Sequence, residues 1–497
     1  MNIDILLEMA AGAEPNRQAV STETDTVTYA ELQLGAQRLG STLAQLSGGR
    51  AITYIGTASM DFPRLLFAAA CAGVPLIPLN YRVKEDEYQR LLEVAQPGLV
   101  VVQDRYREIA ERAAARVSTG LAVLHPRDLK AGDAVDAPMD PDSPAVRLFT
   151  SGTTKAPKLV NLSHDNLVGY VLETVPAASA EAGEAALLAA PPYHIAGIAN
   201  VLTSIYRCRR VHLMAQFEPK AWLEIVREQR ISHAMVVPTM LARILDVLEQ
   251  QPDLAPETLV NLAYGGSRAP LGLVERALRM LPETVGLVNA FGLTETSSTV
   301  AMLSPRDHVA AWRSSDPGVR RRLGSVGRTV PGIEARIVRD DGMAAGPDEH
   351  GEIRLRGGQI STGYAVGGRT VDDDNWLHTG DLGYLDGDGY LFITGRRDDL
   401  IIRAGENINP TEIEDVLRLH DGVSDALVVG VPDPEWGEQI AAVVCGRQDD
   451  TAADDLRQWV RDRLAGFKVP TVIKWVDDLP RNDMGKPVRA RARAMLA

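Results

Sequence analysis

Along the first two-thirds of the chain, short apolar runs alternate with stretches whose apolar residues return every three or four positions. Residues 99–103 (LVVVQ), 211–214, 234–237, 259–264 and 285–289 read as buried strands. Residues 221–229 and 240–249 between them read as amphipathic helices. Runs of four to six apolar residues are too short for helices and lack the polar alternation of a half-exposed strand, so they predict strands covered on both faces. Strands alternating with helices predict an α/β fold with layered, mainly parallel sheets, here in several subdomains. Pro238 directly after Met235-Val236-Val237 marks a strand end that enters a helix.

From Ile333 onward the pattern changes to strands and tight turns. IEARIV, EIRLR and YLFITG are separated by Asp341-Gly342, Gly357-Gly358, Asp386-Gly387 and Asp388-Gly389, pairs that favour hairpin turns. Gly395-Arg396-Arg397-Asp398-Asp399 then interrupts the apolar pattern. Beyond it the periodicity predicts a helix at 410–419, strands at 426–431 and 440–445, a helix at 453–464 and a strand at 472–476. About a hundred residues of mixed α+β can fold as a small domain. The expected division is therefore residues 1–396 and 397–497.

Composition narrows the function. A chain of 497 residues exceeds what one core usually organises. Its net charge of -14 argues against nucleic acid or an anionic membrane as the main partner. No apolar run approaches the ~20 residues of a membrane span, and the N-terminus lacks the pattern of a signal peptide. Cys71, Cys208 and Cys445 lie far apart without CxxC spacing, which fits a reducing cytoplasm rather than a disulfide framework or a zinc site. His125, His164, His212, His233, His308, His350, His378 and His420 form no metal-binding spacing.

The strongest local signal is Leu148-Phe149-Thr150-Ser151-Gly152-Thr153-Thr154-Lys155-Ala156-Pro157-Lys158. Hydroxyls, a glycine and two lysines after an apolar strand can converge on phosphate oxygens, although no Walker A spacing is present. By composition alone the same loop also reads as polar surface.

Further segments follow in order: Pro192-Tyr193-His194-Ile195-Ala196-Gly197, Tyr264-Gly265-Gly266-Ser267, Phe291-Gly292-Leu293-Thr294-Glu295-Thr296, Trp376-Leu377-His378-Thr379-Gly380-Asp381, Gly395 to Asp399 running to Gly405-Glu406-Asn407-Ile408, and Pro480 to Gly485-Lys486. Together they resemble the adenylate-forming superfamily of acyl-CoA synthetases, aryl acid ligases, luciferases and peptide-synthetase adenylation domains. The resemblance runs over nearly the whole chain. It implies an AMP-binding N-terminal region, a small mobile C-terminal domain with its hinge at Asp398, and ATP, Mg2+ and coenzyme A as cofactors and co-substrates.

The resemblance also implies residue roles. Thr150, Ser151, Gly152, Thr153, Thr154 and Lys158 would hold ATP phosphates, and Thr294 the α-phosphate. Glu295 would hold magnesium, a hard cation suited to carboxylate oxygen. Asp381 and Arg396 would meet the ribose; Gly265, Gly266, Ser267, Asn289, Phe291 and Gly292 would line the adenine and acyl boundary. Lys486 would stabilise charge as pyrophosphate leaves. Arg403 and Gly405 would guide the pantetheine arm after rotation, and His194 would be either a gate beside the acyl carboxylate or a packed core histidine.

Two positions depart from the family pattern: Lys155 and Leu159 stand where the phosphate loop usually has glycine, a strain if either needs φ > 0. The segment at Tyr193-His194 lacks the aspartate that pairs an amino acid's ammonium, so the expected substrate is a small carboxylic acid without an amino group. Ile195, Ala196, Tyr264, Asn289, Ala290 and Leu293 suggest an apolar lining for a short- to medium-chain, cyclic or aromatic acid. Arg489, Arg491 and Arg493 read as a solvated helix or a clamp on CoA phosphates. The expected reaction is acyl-adenylate formation followed by transfer to CoA. Delivery to a carrier-protein thiol and a non-catalytic nucleotide-binding role stay open, as does a homodimer.

Overall fold

The computed structural model describes residues 1–117, 120–150, 157–447, 452–482 and 485–496. The chain divides into two compact units. One comprises Met1–Leu323, Gly327–Glu334 and Arg356–Leu377; the other comprises Gly324–Val326, Ala335–Leu355 and His378–Ala497.

The first unit holds two sheets. In the nine-stranded one, Ala185–Leu188, Arg210–Leu213, His233–Val236, Asn261–Gly265 and Gly286–Leu293 run parallel. Helices Ile195–Tyr206, Pro219–Glu228, Pro238–Gln250 and Leu271–Met280 each follow one of these strands. All four residues of Ala185–Leu188 are buried, which is why its sequence carries no polar alternation. Trp222, Leu241, Leu245, Leu262 and Tyr264 form part of the core on one side of this sheet, each such side chain contributing roughly 1.5–3 kcal/mol by leaving water. In the six-stranded sheet Ala122–Leu124, Leu99–Val102, Ile52–Ile55 and Leu76–Leu79 are parallel, and Pro144–Thr150 joins Lys158–Ser163 in an antiparallel pair at the edge.

The second unit contains most of a four-stranded sheet, Glu334–Val338, Gly351–Arg356, Leu377–Leu385 and Leu391–Arg396. It also contains a five-stranded sheet built on the long antiparallel pair Val423–Asp433 and Gly437–Gly446. Helices Pro410–Arg418, Ala453–Arg461 and Arg489–Leu496 accompany the latter. This is the mixed α+β character expected for the C-terminal part. In the basic C-terminal helix Arg491 and Arg493 are exposed, as a solvated helix requires, whereas Arg489 departs from the reading of a solvated helix or a phosphate clamp. Arg489 is largely buried, pairs with Glu414 and Asp399, and donates to the Val428 carbonyl; Arg493 donates to the Gly430 carbonyl at 2.7 Å and Arg491 to the Arg481 carbonyl at 3.2 Å. Arg489 and Arg493 tie the helix to the strand Val423–Asp433.

Cys71, Cys208 and Cys445 are buried free thiols. Among the described residues no helix is long and apolar enough to cross a membrane.

One buried charge sets a pH dependence. Asp4, in the first turn of helix Asp4–Ala13, is 5% exposed, and its Oδ1 meets no hydrogen-bond donor. Burial, opposed by a bond from Cys71 and reinforced by Glu8 and Asp136, pushes its carboxyl up to about 6. A folded value above the unfolded one favours the fold below pH ~4 and loses that advantage as pH rises through about 6. At neutral pH the ionised group costs on the order of 2 kcal/mol, after allowing for its attraction to the helix N-terminus. Asp4→Asn is expected to raise the thermal midpoint at pH 7.5 and to raise it markedly less at pH 4.5, where the folded carboxyl is protonated. Equal shifts at both pH values would contradict the assignment.

Candidate active site

The hairpin Pro144–Thr150/Lys158–Ser163 brings the two ends of the phosphate-loop motif together, with Thr150 opposite Lys158. Ser151, Gly152, Thr153, Thr154 and Lys155 lie outside the described residues. Leu159 is a strand residue paired with Phe149, is not in the left-handed region, and is buried in a cluster with Tyr88 and Tyr193. Its side chain in place of glycine therefore adds core contact without backbone strain.

A second hairpin carries Thr294 and Glu295. Gly286–Leu293 runs antiparallel to Ser298–Leu303 and is closed by the single 3-10 turn Thr294–Thr296. Thr296 is fully buried; its hydroxyl accepts from Leu293 N at 2.9 Å and lies 2.7 Å from the Ser298 carbonyl. Ser297 and Ser298 have φ of 54° and 129°, conformations that cost side-chain-bearing residues of order 1–3 kcal/mol each. A Cβ on Gly292 would lie 1.7 Å from the Ser298 carbonyl oxygen, so only glycine permits this closure.

Residues 359–365 bind both hairpins. Gln359 Nε2 donates to the carbonyls of Thr296 (2.8 Å) and Thr299 (3.0 Å), and Ser361 N donates to the Glu295 carbonyl at 2.8 Å. Ala365 N donates to the Leu159 carbonyl at 2.7 Å, and Asn161 N to the Gly363 carbonyl at 3.1 Å. Tyr364 stands between the two predicted ligand groups. Its hydroxyl is 3.4 Å from Glu295 Oε1, the long limit of a hydrogen bond, and Lys158 Nζ lies 5.1 Å from its ring centroid. Burial, then the Glu295 carboxylate, push the Tyr364 phenol up to about 12, so it remains a donor at neutral pH. Sequence reasoning missed Gln359, Ser361 and Tyr364.

The half-buried Glu295 carboxylate forms no ion pair with a lysine or arginine among the described residues. Nor do those residues contain a group of three or more His, Cys, Asp or Glu able to hold a metal. One carboxylate beside the strand that begins at Lys158 fits Mg2+, which takes few protein ligands and completes its shell with phosphate and water oxygens.

Gly265 and Gly266 have distinct reasons to be glycine. A Cβ at Gly265 would lie 2.2 Å from the Ala290 carbonyl oxygen on the next parallel strand, whereas Gly266 has φ of +79°. Ser267 follows them. Asn289 and Phe291 lie on the strand Gly286–Leu293, opposite Leu303 and Ala301. Tyr264 corrects the expected pocket lining: it is 1% exposed, and its hydroxyl is 2.9 Å from His308 Nε2 within the core. Burial holds His308 down to about 4, so this imidazole is neutral. His194 caps helix Ile195–Tyr206, is half-buried and packs on Tyr193 with ring centroids 4.6 Å apart.

In the second unit Asp381 and Arg396 are cross-strand partners, and Arg396 Nε donates to Asp381 Oδ1 at 2.8 Å. Gly380, at φ +69°, turns the chain so that Thr379 Oγ1 accepts from Asp381 N at 3.0 Å. Burial raises the Asp381 carboxyl, while Arg396 and then Lys486 pull it down. Arg403 donates to the Phe467 carbonyl at 2.7 Å and lies 5.7 Å from the Trp436 ring centroid; Gly405 has φ of +85°. Lys486 is exposed on a tight turn in which Asn482 Oδ1 accepts from Lys486 N at 3.0 Å and Asn482 N donates to the Lys486 carbonyl at 2.8 Å.

Residues 7–365 match the family model described as AMP-binding enzyme, and residues 412–486 match the AMP-binding enzyme C-terminal domain. The chain is 32% identical over 502 residues to fatty acid–[acyl-carrier-protein] ligase ScoC of Streptomyces coeruleorubidus, covering 97% of this chain and 93% of that protein. It is 33% identical over 495 residues to feruloyl-CoA synthase of Amycolatopsis sp, covering 97% and 96%. Its fold matches o-succinylbenzoate CoA synthetase (MenE) of Bacillus subtilis, in complex with the acyl-adenylate intermediate OSB-AMP, with a TM-score of 0.84 at 28% identity, covering 98% and 97%. Matching domain models over both parts of the chain, and relatives aligned along almost its whole length, show that the protein belongs to the AMP-binding enzymes of the adenylate-forming superfamily.

Proposed function

We propose that the protein is an AMP-forming acid–thiol ligase that activates an aryl, cyclic or short- to medium-chain carboxylic acid and transfers it to coenzyme A in the cytoplasm. The observation that carries the reading is the Thr294–Glu295 turn, fastened by residues 359–365 to the strand that begins at Lys158. An acidic turn and a basic strand held together suit a nucleotide triphosphate with its cation.

In the first step a carboxylate oxygen bonds to the α-phosphorus and the bond to the pyrophosphate oxygen breaks. Lys158 and Thr294 would hold the phosphates, and Lys486 would meet the negative charge that grows on the bridging oxygens. Glu295 would hold Mg2+, which when bound neutralises phosphate charge. Asp381, oriented by Thr379 and Arg396, would accept from the ribose hydroxyls. In the second step a thiol sulfur bonds to the acyl carbon, its proton leaves to solvent, and AMP departs. A division at residues 396/397 with Asp398 as hinge belongs to this reading.

An aryl acid is favoured by the aromatic substrates in the names of the feruloyl and succinylbenzoate relatives. CoA is favoured by a surface of the second unit where Trp436 and Phe467, 44% and 46% exposed, stand beside Arg403 and Lys468. Aromatic faces flanked by cations suit a nucleotide phosphate, which a carrier protein lacks. A carrier-protein acceptor is the second reading, because the ScoC relative is matched over the same span. ATP–pyrophosphate exchange across linear, cyclic and aromatic acids, followed by transfer to CoA or to a holo carrier protein, tests both. Exchange with one acid class and its acyl-CoA product is expected. Preference for the carrier would replace CoA, and silence across the panel with ATP bound would remove the ligase reading.

A further inference from the structure

We propose that Gln359 is a positioning residue for the divalent cation assigned to Glu295, an inference that rests on that part of the proposed function. Gln359 is 4% exposed, and its amide spans the strained turn from outside, donating to Thr296 O at 2.8 Å and Thr299 O at 3.0 Å. Those carbonyls bracket Ser297 and Ser298, the two residues with positive φ directly after the metal-binding turn. Without an outside donor the turn could relax towards ordinary β geometry, and Glu295 would move with it.

The segment that carries Gln359 is itself anchored away from the turn. Ser361 Oγ donates to Asn161 O at 2.5 Å, and Asn166 Nδ2 donates to Gly358 O at 2.9 Å and Ile360 O at 3.2 Å. Asn161 lies on the strand that begins at Lys158, and Asn166 on the helix that follows it. The position of Glu295 is thereby referred to the strand that carries Lys158, and Tyr364 fills the space between the two side chains. Gln359 touches neither the nucleotide nor the cation in this arrangement; it acts through the Thr294–Ser298 turn.

The test measures how much a divalent cation strengthens ATP binding. The dissociation constant of ATP is determined on the full chain in EDTA and in Mn2+, with Mn2+ occupancy followed by electron paramagnetic resonance. Glu295→Gln sets the scale by removing the metal-dependent gain. Gln359→Leu is expected to lower that gain about tenfold, in the range typical of groups that orient metal ligands, with metal-free ATP affinity changed less than about twofold. Gln359→Asn, which keeps the amide on a shorter arm, is expected to lose less than Gln359→Leu and serves if the leucine variant does not fold. A gain unchanged in both variants, or metal-free and metal-bound affinities falling together, would overturn the proposal. A wild-type chain that shows the gain but no pyrophosphate exchange with any acid would remove the ligase reading and leave the role of Gln359 standing. Absence of any gain in the wild type would remove the metal assignment and this inference with it.

Discussion

Lys486→Ala is expected to lower acid-dependent ATP–pyrophosphate exchange by about 10²–10³-fold while sparing thioester formation from supplied acyl-AMP and CoA. The described residues on either side of Lys486 are tied together by several bonds. Arg481 bridges to Pro487, Gly485 takes φ of +72° and donates to Asn482 O at 2.8 Å, and the Asn482 side chain and backbone both bond Lys486. The Arg481 guanidinium donates to Gly485 O at 2.6 Å and pairs with Asp425. All these bonds are made by the backbone of residue 486 or by its neighbours, so truncating the side chain removes none of them. What is lost is an ammonium group whose field already reaches Asp381. A fixed cation lowers a barrier only where charge increases, which here is the expulsion of pyrophosphate and not the attack of a thiol on the finished adenylate. The two half-reactions measured separately check this. An equal loss in both would sink the assigned role.

How far the sequence could be read depended on whether a feature was local. Periodicity found Val423–Asp433, Gly437–Gly446 and Ala453–Arg461 to within a few residues, because alternation and helical spacing are properties of neighbours. Asp381 and Arg396 were each assigned to a ribose from separate motifs, and their pairing across one hairpin was not foreseen. Tyr264 was misread as pocket lining, since a parallel strand covered on both faces gives no clue to which side faces a ligand. Arg489 was misread because its partners Glu414 and Asp399 are distant in sequence. Gln359 and Tyr364 were missed for the same reason: their contacts reach back to Thr296, Thr299 and Glu295. Their only local signal is Gly357-Gly358-Gln359-Ile360-Ser361-Thr362-Gly363-Tyr364, a run rich in small and polar residues that also reads as an ordinary loop.

Gly292→Ala is expected to lower pyrophosphate exchange about 10²-fold, the scale on which a misplacement of ~1 Å at catalytic groups is felt, and to destabilise the fold by about 1–3 kcal/mol. The added Cβ would meet the Ser298 carbonyl oxygen at 1.7 Å and its carbon at 2.5 Å. Both are backbone atoms, so no side chain can turn aside to admit the methyl group. The hairpin must open where Gly292 pairs with Thr299, and the turn it closes carries Thr294 and Glu295. The loss should fall on the nucleotide step, leaving the reaction of supplied acyl-AMP with CoA less affected. Gly272→Ala provides the control. It lies in helix Leu271–Met280 with nothing within 4 Å of its new Cβ, so alanine there should be neutral or stabilising by about 0.5–1 kcal/mol. Thermal unfolding and exchange rates of the two variants separate general loosening from displacement of the turn. If Gly292→Ala lost stability but kept its exchange rate, the backbone contact between Gly292 and Ser298 would serve folding alone.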